Sequence, residues 1–174
     1  MFNNIILYKK INDCNFISYV KENFPNYFNL VKVLDVGSLD INGNNRGFFE
    51  NYAYIGIDVS HGSNVDVVCQ GQHYNSPDGF FDTVLSTECF EHNPYWIGTF
   101  ANMIRMCKQN GLIIFTCATT GRPEHGTSRS APDDSPLTVG LGWDYYKNLD
   151  ENDFRNVFNF DALFSSYEFK TNAC

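Results

Sequence analysis

Apolar residues fall along this chain in short, nearly unbroken blocks rather than in strict alternation. Blocks at 32–37 (KVLDVG), 54–58 (YIGID), 65–69 (VDVVC), 82–86 (DTVLS) and 111–117 (GLIIFTC) all have strand length. Such blocks are expected of parallel strands covered on both faces. Between the fourth and fifth blocks the period changes. Ile97, Phe100, Ile104 and Cys107 recur at helical spacing, Asn93 and Pro94 suit the helix start, and Lys108 with Asn110-Gly111 suits its close. A second helix is predicted over 13–24, with Asp13 as cap, Phe16, Val20 and Phe24 on one face, and Pro25 as stop. LDENDFRNVF restarts a helix with Asp150 as cap, and LFSSYEFK reads as a final strand. Strands alternating with helical pieces predict an α/β domain on a mostly parallel sheet, trimmed because most crossovers are short.

A chain of 174 residues fits a single domain, here 1–174, with 1–29 as a helical lead-in. No repeat or low-complexity linker divides it. Residues 118–149, rich in Gly, Pro, Ser and Asp, form a long loop, and a loop of that length inside a compact domain is usually functional or disordered. The opening MFNNIILYKK has too short an apolar stretch for a signal peptide, and nothing approaches a membrane span. The six cysteines are scattered, several inside apolar blocks, as reduced core thiols would be. A cytoplasmic location without a membrane partner is therefore expected. Twelve basic against 20 acidic residues give a net charge of −8, which argues against nucleic acid as a partner. A small anionic ligand held by one or two arginines remains compatible with that balance.

In an open parallel sheet, ligands bind beyond the C-terminal ends of the strands, where the strand order reverses. After the first block come Gly37 and Ser38, whose backbone N–H groups can face a ligand, with Asp35 two positions earlier to orient the loop or attract an ammonium group. The second block ends at Asp58, 21 positions after Gly37, where an acid can hold a ribose diol. The third leads to Gln70, whose amide can read the edge of a base. Dinucleotide folds usually carry G-x-G-x-x-G so that a pyrophosphate rests on a helix N-terminus. Here Leu39 replaces the second glycine and Asp40 would repel phosphates, so a cationic sulfonium with an amino-acid tail fits better. That favours S-adenosylmethionine over a nicotinamide or flavin dinucleotide.

VLDVGSLDING, YIGIDVSHGSNVDVV, GFFDTVLSTECFEH and MIRMCKQNGLIIFT, in this order over about residues 30–117, resemble the successive motifs of class I S-adenosylmethionine-dependent methyltransferases of the small type 11-like branch. The resemblance implies a Rossmann-like sheet of order 3-2-1-4-5 followed by a C-terminal strand. It implies S-adenosylmethionine as cofactor and S-adenosylhomocysteine as product. Asp35, Gly37 and Ser38 would hold the methionine end, Asp58 the ribose, and Gln70 the adenine, while Thr87 and Glu88 would border the methyl group. The family's seventh strand, antiparallel and slotted between the fifth and sixth, has no counterpart after SSYEFK. Residues 164–170 are therefore expected to pair directly with the fifth strand, or a second chain to cover that exposed edge as a homodimer.

Cys69, His73, Cys89 and His92 mimic paired zinc-ligand spacing. In that strand order the third and fourth strands lie about 14 Å apart, so no metal is expected. If the acceptor must lose a proton, His125 in the long loop and His92, beside Glu91, are the candidate catalytic residues. Arg122 and Arg129 flank His125 and point to a small, anionic or glycan-derived acceptor, and Trp143, Tyr145 and Tyr146 can wall its pocket. NPYW at 93–96 is read as helix capping. Methyl transfer to a small molecule is the main reading. A protein that binds the cofactor or its product without turnover is a second, and a nicotinamide-dependent oxidoreductase, disfavoured by Leu39 and Asp40, a third.

Overall fold

The computed structural model describes residues 2–9 and 14–170. Its strands are β1 (Phe2–Lys9), β2 (Lys32–Val36), β3 (Ala53–Asp58), β4 (Val67–Val68), β5 (Phe81–Thr87), β6 (Cys107–Thr116) and β7 (Phe164–Lys170). They form one sheet in the order β4-β3-β2-β5-β6-β1-β7, and every pairing is parallel. Counted along the five apolar blocks, the core order is the expected 3-2-1-4-5.

Each central strand feeds two cores, because successive side chains point to opposite faces. Leu34, Val84, Ile113 and Phe115 join one cluster, while Val33, Leu85, Leu112 and Ile114 join the other. Helix α1 (Cys14–Asn23) closes the second face with Phe16, Ile17 and Val20. Helix α2 (Trp96–Met106) closes the first with Trp96, Phe100, Met103 and Ile104. Three short helices follow: α3 (Pro136–Gly140), α4 (Glu151–Arg155) and α5 (Phe160–Leu163). Asp150 caps α4 as anticipated, in a capping box with Asp153. The expected cap of α1, Asp13, lies outside the described residues. Among the described residues no helix is long and apolar enough to cross a membrane.

Three local expectations change. The 65–69 block keeps only Val67 and Val68 as a strand, both more than a third exposed, since it is the sheet's short edge. Helix α2 begins at Trp96, because Asn93 instead closes a turn with its Oδ1 accepting from the Tyr95 N–H at 2.8 Å. It ends at Met106, and the chain passes directly into β6. Gly111 is therefore a strand residue rather than a helix stop; a Cβ there would meet Cys107 Sγ at 2.6 Å and the Asp82 carbonyl at 2.8 Å.

The largest correction concerns the slot left by the missing antiparallel seventh strand, which is filled by another segment of the chain. Residues 2–9, within the expected helical lead-in, fill the slot between β6 and β7 and run parallel to both. Ile5–Lys9 pair with Leu112–Thr116 on one side and with Ser166–Lys170 on the other. Residues 164–170 do not pair with β6, the expected fifth strand, and the edge on which a homodimer was expected is already paired. The physical reason is the one that motivated the expectation: an apolar strand with an unsatisfied edge recruits another strand. The short run Ile5-Ile6-Leu7-Tyr8 meets that need from within the chain.

Phe100 lies in the middle of the α2 face. Its ring stands 5.0–6.3 Å from those of Phe90, Phe115, Phe154, Phe158 and Phe160. Replacing a fully buried phenylalanine removes its transfer free energy and leaves a cavity. Phe100→Ala should lower unfolding free energy by about 3–5 kcal/mol in urea titration. A loss below about 1 kcal/mol would show that this aromatic cluster does not anchor the helix.

Candidate functional site

At the end of β2 the chain turns sharply at Gly37, with φ +79°. A Cβ there would lie 2.6 Å from both Cβ and Sγ of Cys89, so only glycine lets β2's loop pass the loop after β5. The N–H groups of Gly37 and Ser38 both donate to the Ile57 carbonyl, at 2.9 and 3.1 Å. They are thus not the ligand-facing donors expected from the sequence; the neighbouring strand uses them to hold the turn. The Ser38 hydroxyl and carbonyl are likewise tied to Asn64.

Asp35 is 1% exposed, and its Oδ2 accepts from the Tyr54 hydroxyl at 2.5 Å. Its Oδ1 has no hydrogen-bond partner. Burial pushes the Asp35 carboxyl up to about 7, against the lowering effect of the Tyr54 hydrogen bond and of the nearby Asn45 amide. Burial and the Asp35 charge together raise the Tyr54 hydroxyl, which therefore stays protonated as the donor. Arg46 lies over the Tyr54 ring at 4.4 Å and is anchored to Asn64 and Asp66. Neither Tyr54 nor Asn45 was singled out from sequence. Tyr54 opens the β3 block and reads as core. Asn45, whose Nδ2 donates to Thr87 Oγ1 at 3.0 Å, has no local signal beyond a turn-rich stretch.

Asp58 ends β3, with Oδ2 accepting from the Leu39 N–H at 3.0 Å and Oδ1 from the Val59 N–H at 2.7 Å. Burial raises its pKa, and the two backbone N–H groups oppose the rise. Each carboxylate oxygen keeps a second lone pair. Thr87 and Glu88 follow β5, and Glu88 is held at φ +49° by its N–H to Thr116. These strand ends converge on a cavity of about 700 Å³, whose wall includes Asp35, Gly37, Ser38, Asp58, Thr87, Glu88 and His92. Phe16 and Ile17 of α1 and residues 134–138 border it from other sides. Gln70 is not part of that wall; its Oε1 accepts from Gln72 Nε2 at 2.8 Å.

Beside the cavity the two catalytic candidates meet. The His92 and His125 rings are 5.0 Å apart and nearly perpendicular, and Tyr146 stands 5.6 and 5.0 Å from them. Glu91 joins them: one ligand atom from each of Glu91, His92 and His125 falls within 4.8 Å of the others. Glu91 is fully buried, with Oε1 accepting from the Ala118 N–H at 3.0 Å and Oε2 unpartnered. Burial, then the charge of Glu88, hold its carboxyl well above the usual range. Burial, reinforced by His125 and Arg122, lowers the His92 imidazole to about 4, so it is neutral at pH 7. Cys69 and His73 do not join His92; among the described residues, Glu91, His92 and His125 form the group of three or more able to hold an ion.

The residues expected to bind an acceptor separate. Arg129 is clamped between Glu124 at 2.8 Å and Asp144 at 2.5 Å, so it pins the long loop to itself. Arg122 bears on His92 and Tyr146 through its charge. Tyr146 joins the histidines, while Tyr145 packs half-buried near Trp96.

The family described as "Methyltransferase domain" matches residues 12–163. Among solved structures, the chain is similar to 1,6-didemethyltoxoflavin-N1-methyltransferase of Burkholderia thailandensis, bound to 1,6-didemethyltoxoflavin and S-adenosylhomocysteine. The TM-score is 0.55 at 13% identity, over 84% of this chain and 64% of that one. It is also similar to phosphoethanolamine N-methyltransferase 2 of Haemonchus contortus in complex with S-adenosyl-L-methionine, with TM-score 0.55, 17% identity, and 81% and 34% of the two chains covered. A SAM-dependent methyltransferase from Archaeoglobus fulgidus gives TM-score 0.55, 16% identity, and 87% and 69% coverage. The chain thus spans less than two thirds of the first two of these proteins. No curated protein is similar enough in sequence to count as a relative. With the family match running through five of the seven described strands, β2 to β6, and the order of those strands agreeing, the chain belongs to the methyltransferase domain family.

Proposed function

We propose that the chain transfers a methyl group from S-adenosylmethionine to a small-molecule acceptor. The observation that carries this reading is Asp35 Oδ1, a buried carboxylate oxygen without a partner in the wall of a cavity of about 700 Å³. A buried acceptor of this kind calls for a donor, and a cationic amino group supplies one. Asp58, at the neighbouring strand end, offers its free lone pairs to a diol, which fits the ribose of the same cofactor. The bound cofactor supplies an electrophilic methyl group on a sulfonium sulfur.

The protein's own contribution is alignment. Gly37 and Ser38 hold the turn that keeps Asp35 and Asp58 on one wall, and Thr87 and Glu88 border the position of the methyl group. His92 and His125 are assigned to the acceptor side, where they act on the attacking atom. With Arg129 matched by two carboxylates, Arg122 is left to attract an anionic or glycan-derived acceptor.

Two measurements test the cofactor site, both by calorimetry with S-adenosylhomocysteine. Asp58→Asn keeps an oxygen for the loop backbone but loses the charge that strengthens its bonds to a diol. Affinity should fall at least about tenfold, since charge-assisted hydrogen bonds contribute about 1.5–3 kcal/mol. Unchanged affinity would remove Asp58 from the site. The second is a pH series. Asp35 must be ionised to hold an ammonium group, and in the free protein its pKa is raised to about 7. As pH falls below 7 the carboxyl takes up a proton, so affinity should drop, approaching about tenfold per pH unit. The dependence should vanish in Asp35→Asn. A flat profile from pH 8 to 6 in the unmodified protein would overturn the assignment.

A further inference from the structure

Glu91, His92 and His125 are arranged in a way that an acid–base role alone does not require. Each of the two outer members has one polar atom fixed by backbone. Glu91 Oε1 accepts from the Ala118 N–H at 3.0 Å, and His125 Nδ1 lies 3.0 Å from the Pro123 carbonyl. A carbonyl only accepts, so that nitrogen carries the hydrogen and His125 Nε2 is left with a free lone pair. Glu91 Oε2 and His92 Nδ1 are buried without a hydrogen-bond partner, on side chains 0% and 3% exposed. One ligand atom from each of the three residues falls within 4.8 Å of the others.

Gly126 helps to build this enclosure. Its φ of +62° carries the long loop over His92, and a Cβ there would come within 2.5 Å of His92 Cε1. Donors in a metal shell stand about 3–3.5 Å apart at bond lengths of about 2.0–2.2 Å, so modest side-chain rotation would close the set around one ion. A histidine whose other ring N–H is given to a backbone carbonyl, and a carboxylate whose other oxygen is held by an N–H, is the outer-shell pattern of metal ligands.

We propose that Glu91, His92 and His125 bind one divalent transition-metal cation, and that an open position of this cation holds an oxygen of the methyl acceptor. Two imidazoles and a carboxylate suit zinc, manganese, iron or cobalt rather than the all-oxygen shell of calcium. No cysteine belongs to the set. His92 is both a ligand and part of the cavity wall, so the ion borders the space where an acceptor would lie. The second half of the proposal rests on the methyl-transfer reading and narrows its acceptor to a hydroxyl- or carboxylate-bearing molecule. It departs from the metal-free site expected from sequence.

The test uses the untagged full chain, stripped with EDTA and desalted, titrated with Zn²⁺ by calorimetry and with Co²⁺ by visible absorption. One equivalent should bind, with the Co²⁺ spectrum of a nitrogen–oxygen site. Glu91→Gln, which keeps an acceptor for Ala118, and His125→Ala, at a half-buried position, should each weaken binding at least about 100-fold. S-adenosylhomocysteine affinity in both variants should stay within about threefold, which also certifies that they fold. Less than one equivalent bound, or full binding retained by His125→Ala, overturns the metal site even where S-adenosylhomocysteine still binds. Stoichiometric metal on a chain that never binds S-adenosylhomocysteine supports the ion site and overturns its role toward an acceptor.

Discussion

Strand β6 is buried along its C-terminal half from Leu112 to Thr116, and both of its backbone edges must be hydrogen-bonded. No water reaches that part of the strand, so every N–H and C=O there depends on a neighbouring strand. β5 serves one edge and β1 the other. The functional loops then follow from where these strands stop. β5 ends at Thr87, and the Glu88 N–H is caught by Thr116 at the end of β6. The Ala118 N–H just beyond reaches Glu91. The end of the sheet thus positions both the cavity wall and the histidine cluster.

Two polar defects lie on different sides of that cavity. Asp35 is buried on the α1 side with one oxygen unmet, and Glu91 and His92 are buried on the long-loop side with one atom each unmet. A fold gains nothing in stability from such groups, since each gives up water without a replacement. Tyr54, Asn45 and Arg46 surround the first defect; Ala118, Pro123 and Tyr146 surround the second. Support from fixed neighbours around an unsatisfied centre is the arrangement expected of a preorganised site.

The core of the sheet was legible because its strands are apolar throughout and its best helix has a clear period. Asp35 and Asp58 were legible because an acid at the end of an apolar block is conspicuous. What escaped was anything settled by partners distant in sequence. The run Ile5-Ile6-Leu7-Tyr8 has strand composition, yet its place between β6 and β7 depends on two segments far along the chain. The Gly37 and Ser38 N–H groups looked available until Ile57 was seen to take them. Arg129 looked like a free cation, but Glu124 and Asp144 fold back on it. Glu91 was noticed only as the neighbour of His92, because burial of its side chain is invisible in FEHN.

The position of β1 also governs the order in which the molecule can assemble. Ile5 pairs with Leu112 and with Ser166, so β1 has to wait for two strands made much later before the sheet is whole. Contacts of such long sequence separation are slow to form, because the intervening chain must be ordered first. Until then β6 presents an apolar, half-paired edge, the kind of surface on which chaperones and unwanted association act. The element that completes the native sheet is therefore also the one that sets its kinetic vulnerability.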